Sequence, residues 1–123
     1  MIAFLLSALA TACAPAPSPD PESPAREHYE ARGNEPGWSL TIHDGRIDYV
    51  GRYGDVKISV ARPDPRPSFN GLRYVTQRLT VDVTYSRCND AMSGRGFAHS
   101  VIVTADGETI RGCGGARKPE WDM

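Results

Sequence analysis

Residues 79–85 have the sequence LTVDVTY, in which apolar side chains at odd positions alternate with polar side chains at even positions. Successive side chains of a β-strand point to opposite faces of its sheet, so a strict period of two indicates a strand with one buried face. Similar alternation recurs along the chain and predicts an all-β protein. The predicted strands are residues 37–43, 46–51, 55–61, 72–77, 78–87, 97–105 and 108–113.

Two Asp-Gly pairs, at residues 44–45 and 106–107, each lie between two alternating segments. Both central residues of a type I′ turn need a positive φ, which makes Asp-Gly a strong hairpin signal. Residues 62–71 contain three prolines and are predicted to form a loop rather than a strand.

About seven short strands must each bury one face against a common core. This pattern predicts a small antiparallel β-barrel or a two-sheet sandwich. The expected core consists of the apolar members of the strands, namely Trp38, Leu40, Ile42, Tyr49, Val56, Ile58, Leu79, Val81, Val83, Val101, Val103 and Ile110. The net charge of −1 is spread without runs, which argues against a nucleic-acid partner.

An apolar run at residues 2–12 ends at Cys13, with small residues immediately before the cysteine. This pattern is typical of a bacterial lipoprotein signal, whose cysteine receives the lipid after cleavage. Simple cleaved secretion, a buried core helix and a frayed terminus are the alternatives. The run is too short to span a bilayer. We therefore predict lipidation at Cys13 and anchoring in the bacterial cell envelope. Ala14 follows in place of a retention aspartate, which favours the periplasmic face of the outer membrane.

Five prolines alternate with other residues within residues 14–27. Such a segment favours extended polyproline II and would reach on the order of 40 Å. The predicted organisation is a signal segment at 1–13, a linker at 14–27 and a β-domain at 28–123. Residues 117–121 are interpreted as a loose end whose Trp121 can fold back on the domain.

Cys88 and Cys113 are the two thiols that remain once Cys13 carries lipid. An even pair in an oxidising compartment predicts a disulfide, which would stabilise a domain this small. A zinc site that uses these cysteines and His99 is the competing interpretation. No CxxC or HxxxH spacing supports it, so neither a metal nor another cofactor is expected.

Three segments carry a family resemblance: YEARGNEPGW at 29–38, CNDAMSG at 88–94 and IRGC at 110–113. Together they resemble an uncharacterised family of bacterial periplasmic lipoproteins with the signatures G-(T/N)-E-P-F-W, C-S-D-G-M-S-D and L-x-G-C. The chain departs from that pattern at Gly37, Ala91 and Gly94. The resemblance implies a small β-rich domain and brings no established activity.

The candidate binding residues lie in or beside two segments, 33–37 and 89–96, whose composition strands do not explain. They are Glu35, Trp38, Asp90, Met92 and Ser93. Turn formation by the loop residues and a core position for Trp38 are the structural alternatives. Catalysis by Ser93 would need His99 and Asp90 as partners, and no G-x-S-x-G elbow is present. The chain is therefore not expected to be an enzyme.

These observations predict a non-catalytic envelope lipoprotein. Its lipid would tether a small β-domain that binds a cell-wall fragment, a small ligand or a periplasmic protein. The alternative is an inhibitor of a wall-degrading hydrolase such as lysozyme. The segment MSGRGF at residues 92–97 is similar to the Ser-Gly-containing loop of membrane-bound lysozyme inhibitors.

Overall fold

The computed structural model of the chain describes residues 23–25 and 28–123. This part of the chain is all-β, as the alternating sequence predicts. It contains ten strands: β1 (His28–Gly33), β2 (Trp38–His43), β3 (Arg46–Gly51), β4 (Val56–Ala61), β5 (Arg66–Ser68), β6 (Gly71–Val75), β7 (Leu79–Thr84), β8 (Cys88–Asn89), β9 (Gly96–Ala105) and β10 (Glu108–Arg117). Two 3₁₀ turns, Arg52–Gly54 and Pro119–Trp121, complete the described elements.

Nine strands form one continuous antiparallel sheet in the order β4-β3-β2-β1-β10-β9-β7-β6-β5. The short strand β8 also pairs with β9, beyond the point where β7 ends. Pairing between β1 and β10 joins the N-terminal meander to the C-terminal hairpin. The two edges of the sheet are β4 and β5.

Most buried apolar residues of the sheet belong to a single cluster, and Phe97, Ala98 and Cys113 lie outside it. This cluster contains Ile58 from one edge region and Tyr74 from the strand next to the other edge. The sheet must therefore curl on itself, and it forms an open half-barrel with an apolar concave face and a more polar convex face. The prediction of about seven strands is wrong, because the described residues form ten.

Three strands, β1, β5 and β8, are not predicted by the alternation of apolar and polar residues. In β1 the buried positions after Tyr29 are Ala31 and Gly33, whose small side chains give little apolar signal. β5 lies within the predicted loop and contains Pro67; proline is tolerated there because an edge strand leaves one side of its backbone unpaired. β8 has only two residues, which is too short for any periodicity.

Both Asp-Gly pairs form the predicted hairpin turns. Asp44 and Gly45 have φ values of 45° and 71°, and Asp106 and Gly107 have φ values of 46° and 85°. Positive φ at both positions is the condition for a type I′ turn. These turns set the register of β2 with β3, and of β9 with β10 from the turn as far as Gly114, and so they set which residues there face the core. The pairing of β9 with β10 is irregular between Gly114 and Arg117.

The predicted core is largely confirmed. Ten of its twelve members are buried in the apolar cluster, and the other two, Val56 and Ile110, are half-buried and pack against that cluster. The sequence analysis missed further buried side chains, which come mainly from β1, β3 and β6: Tyr29, Ala31, Ile47, Leu72, Tyr74 and Ala105. Trp38 belongs to this core, and its indole Nε1 donates a hydrogen bond to the backbone oxygen of Arg111 at 3.2 Å.

The chain segment before β1 touches the domain at Ser23 and Pro24, both of which are buried. The Ser23 hydroxyl lies 3.1 Å from the hydroxyl of Tyr85. Cys13, the predicted signal segment and most of the predicted linker lie outside the described residues. No helix within 23–25 and 28–123 is long and apolar enough to cross a membrane.

Candidate functional site

The predicted disulfide is present between Cys88 and Cys113, with an S–S distance of 1.98 Å. It ties β8 to β10, and both strands also pair with β9. Side chains alternate along β10, and Ile110 faces the core, so the side chain of Cys113 lies on the opposite, convex face. Its neighbours there are its register partners Arg32 and Ser100. Both sulfurs are consumed by this bond, which overturns the zinc alternative.

The two loops singled out in the sequence meet on this convex face. Asn34 Nδ2 donates a hydrogen bond of 2.6 Å to Asp90 Oδ1. Asn34 directly follows β1, while Asp90 directly follows β8. The pairing of β1 with β10 and the disulfide from β10 to β8 bring these distant segments together.

A cleft of about 400 Å³ lies between the two loops and the sheet. Its floor includes the hydroxyl residues Thr84 and Ser100, which are cross-strand partners on β7 and β9. Ile102 adds an apolar patch to the same lining, and Arg111 provides a cation. The remaining wall is formed by the disulfide and the segment around Asp90. The cleft can thus offer a positive charge, hydroxyl groups and a small apolar surface to one ligand.

Arg111 is exposed on β10, and its guanidinium makes no hydrogen bond or ion pair with any residue that the structure describes. Its backbone oxygen accepts the bond from Trp38, so the main chain at this position is held in place while the side chain stays available. No pattern in the sequence marks this residue. Only the register of β9 and β10 shows that it lines the cleft.

Asp90 organises its own loop. Asp90 Oδ2 accepts hydrogen bonds from the Ser93 amide at 2.9 Å and the Ser93 hydroxyl at 2.8 Å. Burial alone would raise the pKa of this carboxyl, but the hydrogen bonds from Ser93, Met92 and Asn34 outweigh it and lower the pKa below its usual range. Asp90 is therefore a stably ionised carboxylate with both oxygens engaged.

The other predicted site residues have different surroundings. Met92 is 70% exposed in the turn between Asp90 and Ser93. Glu35 is exposed and has a φ of 59° in the turn before Pro36. Trp38 lies apart from them in the core. The structure thus brings Asp90, Met92 and Ser93 together in one loop. Glu35 lies in the neighbouring 33–37 loop, next to Asn34.

The C-terminal segment holds the 89–96 loop from the other side. The backbone oxygen of Trp121 accepts a hydrogen bond of 2.8 Å from Asn89 Nδ2, and the Met123 amide donates to Gly94 at 3.0 Å. Asp122 accepts from the Gly96 amide at 2.8 Å and pairs with Arg117. The interpretation of residues 117–121 as a loose end is therefore wrong, whereas the expectation that Trp121 folds back on the domain is confirmed. Residues 117–123 form a C-terminal clasp that packs on the loop.

His99 lies on the concave face, far inside the core, and is 1% exposed. Its Nδ1 is 3.0 Å from the hydroxyl of Tyr29, and its ring contacts the ring of Tyr85. Ser93 instead donates its hydroxyl to Asp90. The three side chains that a serine hydrolase would require here are thus divided between two faces of the sheet.

A second polar cluster on β2, β3 and β4 was missed by the sequence analysis. His43 Nε2 lies 2.6 Å from Asp48 Oδ2, and Ser59 donates to Asp48 Oδ1 at 2.5 Å. Hydrogen bonds to Asp48 and then to Asp44 raise the pKa of His43. Within the described ranges, no three His, Cys, Asp or Glu side chains are grouped so that they could hold a metal ion.

Comparison of the chain with protein families, curated proteins and solved structures gave no match. Function is therefore argued from the geometry of the cleft.

Proposed function

We propose that this protein is a non-catalytic, lipid-tethered module of the bacterial cell envelope that binds a ligand in the cleft beside Cys88–Cys113. The observation that carries the proposal is the hydrogen bond between Asn34 and Asp90. It joins two loops over a cleft of about 400 Å³, which is within the size range of small-molecule sites. A cell-wall fragment is the preferred ligand, with a small molecule or a periplasmic protein as the other members of this class.

The arrangement of polar groups favours binding over catalysis. The Ser93 hydroxyl donates a hydrogen bond to Asp90, whose lowered pKa makes this carboxylate too weak a base to activate a hydroxyl. The loop is also held by a disulfide and by the C-terminal clasp. A pre-organised loop loses little conformational entropy when a ligand binds, which improves affinity.

The proposed location rests on two independent features. The apolar run before Cys13 is typical of a lipoprotein signal, and the disulfide within the domain suits an oxidising compartment such as the periplasm. Lipid on Cys13 would place the domain at a membrane surface, with the outer membrane preferred.

The test is a titration of the full chain, in detergent micelles, with a digest of peptidoglycan. Backbone amide resonances of residues 89–96 should shift, while those of β4 should not. Asp90→Ala and Met92→Ala should reduce the response and keep the chain folded. Lys57→Ala, an exposed change on β4, is the matched control. Binding that survives every loop substitution, or loss of binding only together with loss of fold, would contradict the proposal.

Inhibition of a wall-degrading hydrolase remains the second candidate because of one observation. Met92 is a large apolar side chain that is 70% exposed in a loop fastened on both sides. A protruding, rigid loop is a common way to fill an enzyme cleft. If this candidate holds, stoichiometric amounts of the chain should slow lysis of bacterial cells by lysozyme, and Met92→Ala should abolish the effect. Unchanged lysis at molar excess would eliminate it.

A further inference from the structure

We infer that the cleft recognises a carboxylate that is attached next to a small alkyl group, as at the free C-terminus of a short alanine-containing peptide. Arg111 would be the residue that binds the carboxylate. This inference rests on the proposed ligand binding in the cleft and specifies the chemical class of the ligand.

The charge balance of the cleft is the first argument. Arg111 lines it without a hydrogen bond or an ion pair to any described group. Asp90 is the acid in the same lining, but its two oxygens already accept hydrogen bonds from Asn34 and Ser93. Among the described residues, the Arg111 guanidinium therefore has no carboxylate of the protein as an ion-pair partner, and its N–H groups are available to a ligand. A guanidinium presents paired N–H groups that match the two oxygens of a carboxylate.

The available hydrogen-bond donors are the second argument. One side-chain N–H of Asn34 is used on Asp90, and both side-chain N–H groups of Asn89 are used on backbone oxygens. The hydroxyls of Thr84, Ser86 and Ser100 also line the cleft and make no side-chain hydrogen bond with another described group. Together with Arg111, these hydroxyls supply donors to an acceptor-rich group such as a carboxylate.

The apolar part of the cleft is the third argument. Ile102 is the register partner of Arg111, so its side chain lies beside the guanidinium on the neighbouring strand. Ala91 and the disulfide extend this surface. No aromatic ring is found in the lining of this cleft, so a sugar ring would have no flat face on which to stack. The surface suits a methyl group, and the volume of about 400 Å³ suits a dipeptide.

The experiment uses the full chain in detergent micelles and measures binding by amide chemical shifts. The probes are N-acetyl-D-alanyl-D-alanine, the same peptide with an amidated C-terminus, its L,L isomer and N-acetylglucosamine. The acid should bind, and the amidated peptide should bind about tenfold more weakly, since one charged hydrogen-bonding contact is lost. Preference for the D,D or the L,L acid distinguishes a cell-wall peptide from an ordinary protein C-terminus.

Arg111→Gln should weaken binding of the acid about tenfold and leave the amidated peptide unaffected. Its melting temperature should match the parent, because the side chain is exposed and the backbone bond to Trp38 remains. Arg66→Gln, which removes an exposed arginine on β5, is the matched control.

Equal binding of the acid and the amidated peptide would overturn the inference, as would an Arg111→Gln variant that binds the acid normally. Binding of N-acetylglucosamine in the cleft, without dependence on Arg111, would overturn it while supporting the proposed function. If no pure probe shifts the amide resonances but the peptidoglycan digest shifts those of the loop, the inference would again be overturned and the proposed function supported. If neither the pure probes nor the digest causes shifts, the proposed function would be contradicted as well.

Discussion

Two glycines decide where Trp38 lies. A Cβ atom on Gly112 would be 2.6 Å from Trp38 Cζ2 and 2.0 Å from the backbone oxygen of Arg32. A Cβ atom on Gly33 would be 2.1 Å from Trp38 Nε1. The indole therefore occupies space that any other residue type at these two positions would fill. The glycines of the G-x-E-P-like and IRGC segments thus have a packing role, and they direct Trp38 into the core.

The His43–Asp48 pair gives a prediction at the residue scale. The hydrogen bond that His43 makes to Asp48, followed by the one to Asp44, raises the pKa of His43. Because the folded pKa lies above the unfolded value, the stabilisation by this pair is fully present below the unfolded pKa. It is lost as the pH rises through the folded pKa. A nuclear magnetic resonance titration of the His43 ring should therefore have a midpoint above that of an ordinary histidine.

Asp48→Asn removes the charge that favours the protonated ring, so the His43 midpoint should fall in that variant. Asp64→Asn, an exposed acid in the loop before β5, is the control and should leave it unchanged. A His43 midpoint that is equal in the parent and in Asp48→Asn would show that the pair does not act on the histidine.

At the scale of elements, β8 is the strand that is stabilised least by its own backbone pairing. It has two residues and pairs only with the first residues of β9. Its position depends on the disulfide to β10 and on the bonds from Asn89 to the C-terminal segment. The loop that forms one wall of the cleft is thus held by covalent and tertiary links rather than by a regular ladder.

The disulfide should contribute strongly to stability because it closes a loop with a sequence separation of 25 residues. The double variant Cys88→Ala, Cys113→Ala should lower the free energy of unfolding by about 2–5 kcal/mol, the usual cost in small secreted domains. Chemical denaturation measures this change. Cys13→Ala serves as the control, since it removes a cysteine without touching the domain. A stability within error of the parent would contradict the prediction.

The C-terminal clasp should open in acid. Hydrogen bonds from Arg117, and then from the Gly96 amide, lower the pKa of Asp122 to about 2. A lowered folded pKa means that the stabilisation is present above the unfolded pKa, about 3.9, and is lost as the pH falls towards the folded value. Asp122→Asn should reproduce this loss at neutral pH. The Gly96 amide should then exchange its hydrogen faster with solvent.

Glu120→Gln is the matched control for the clasp, because Glu120 is an exposed acid two residues earlier. It should leave exchange at Gly96 at the parental rate. Equal protection of Gly96 in the parent and in Asp122→Asn would mean that the clasp does not hold the loop.

At the scale of the whole molecule, features that depend on residues close in sequence could be predicted, and features that depend on residues far apart in sequence could not. Strands with apolar residues in alternate positions and hairpins with Asp-Gly turns could be predicted, because both depend on neighbouring residues. The contact between Asn34 and Asp90 could not, because it depends on the pairing of β1 with β10 across most of the chain. Arg111 was missed for the same reason. The disulfide was predictable because few thiols were available.

Attachment to a membrane is a prediction about the whole protein. When the chain is expressed with an efficient signal in bacteria, it should incorporate labelled fatty acid and partition into detergent. Cys13→Ser should abolish both, because it removes the thiol that accepts the lipid. The disulfide variant of Cys88 and Cys113 is the control and should still be labelled. Labelling that persists in Cys13→Ser would rule out this site of attachment.

Ser23 and Pro24 are buried against the domain, and Ser23 is hydrogen-bonded to Tyr85. If Cys13 carries lipid as proposed, these contacts would limit the distance between the domain and the membrane. Only nine residues, 14–22, lie between Cys13 and Ser23, and the ten residue steps from one to the other cannot span more than about 36 Å. Lipid on Cys13 would thus confine the domain to a thin layer next to the membrane. A target in the same layer would meet it at an effective concentration in the millimolar range, so even weak affinity in solution would give high occupancy there.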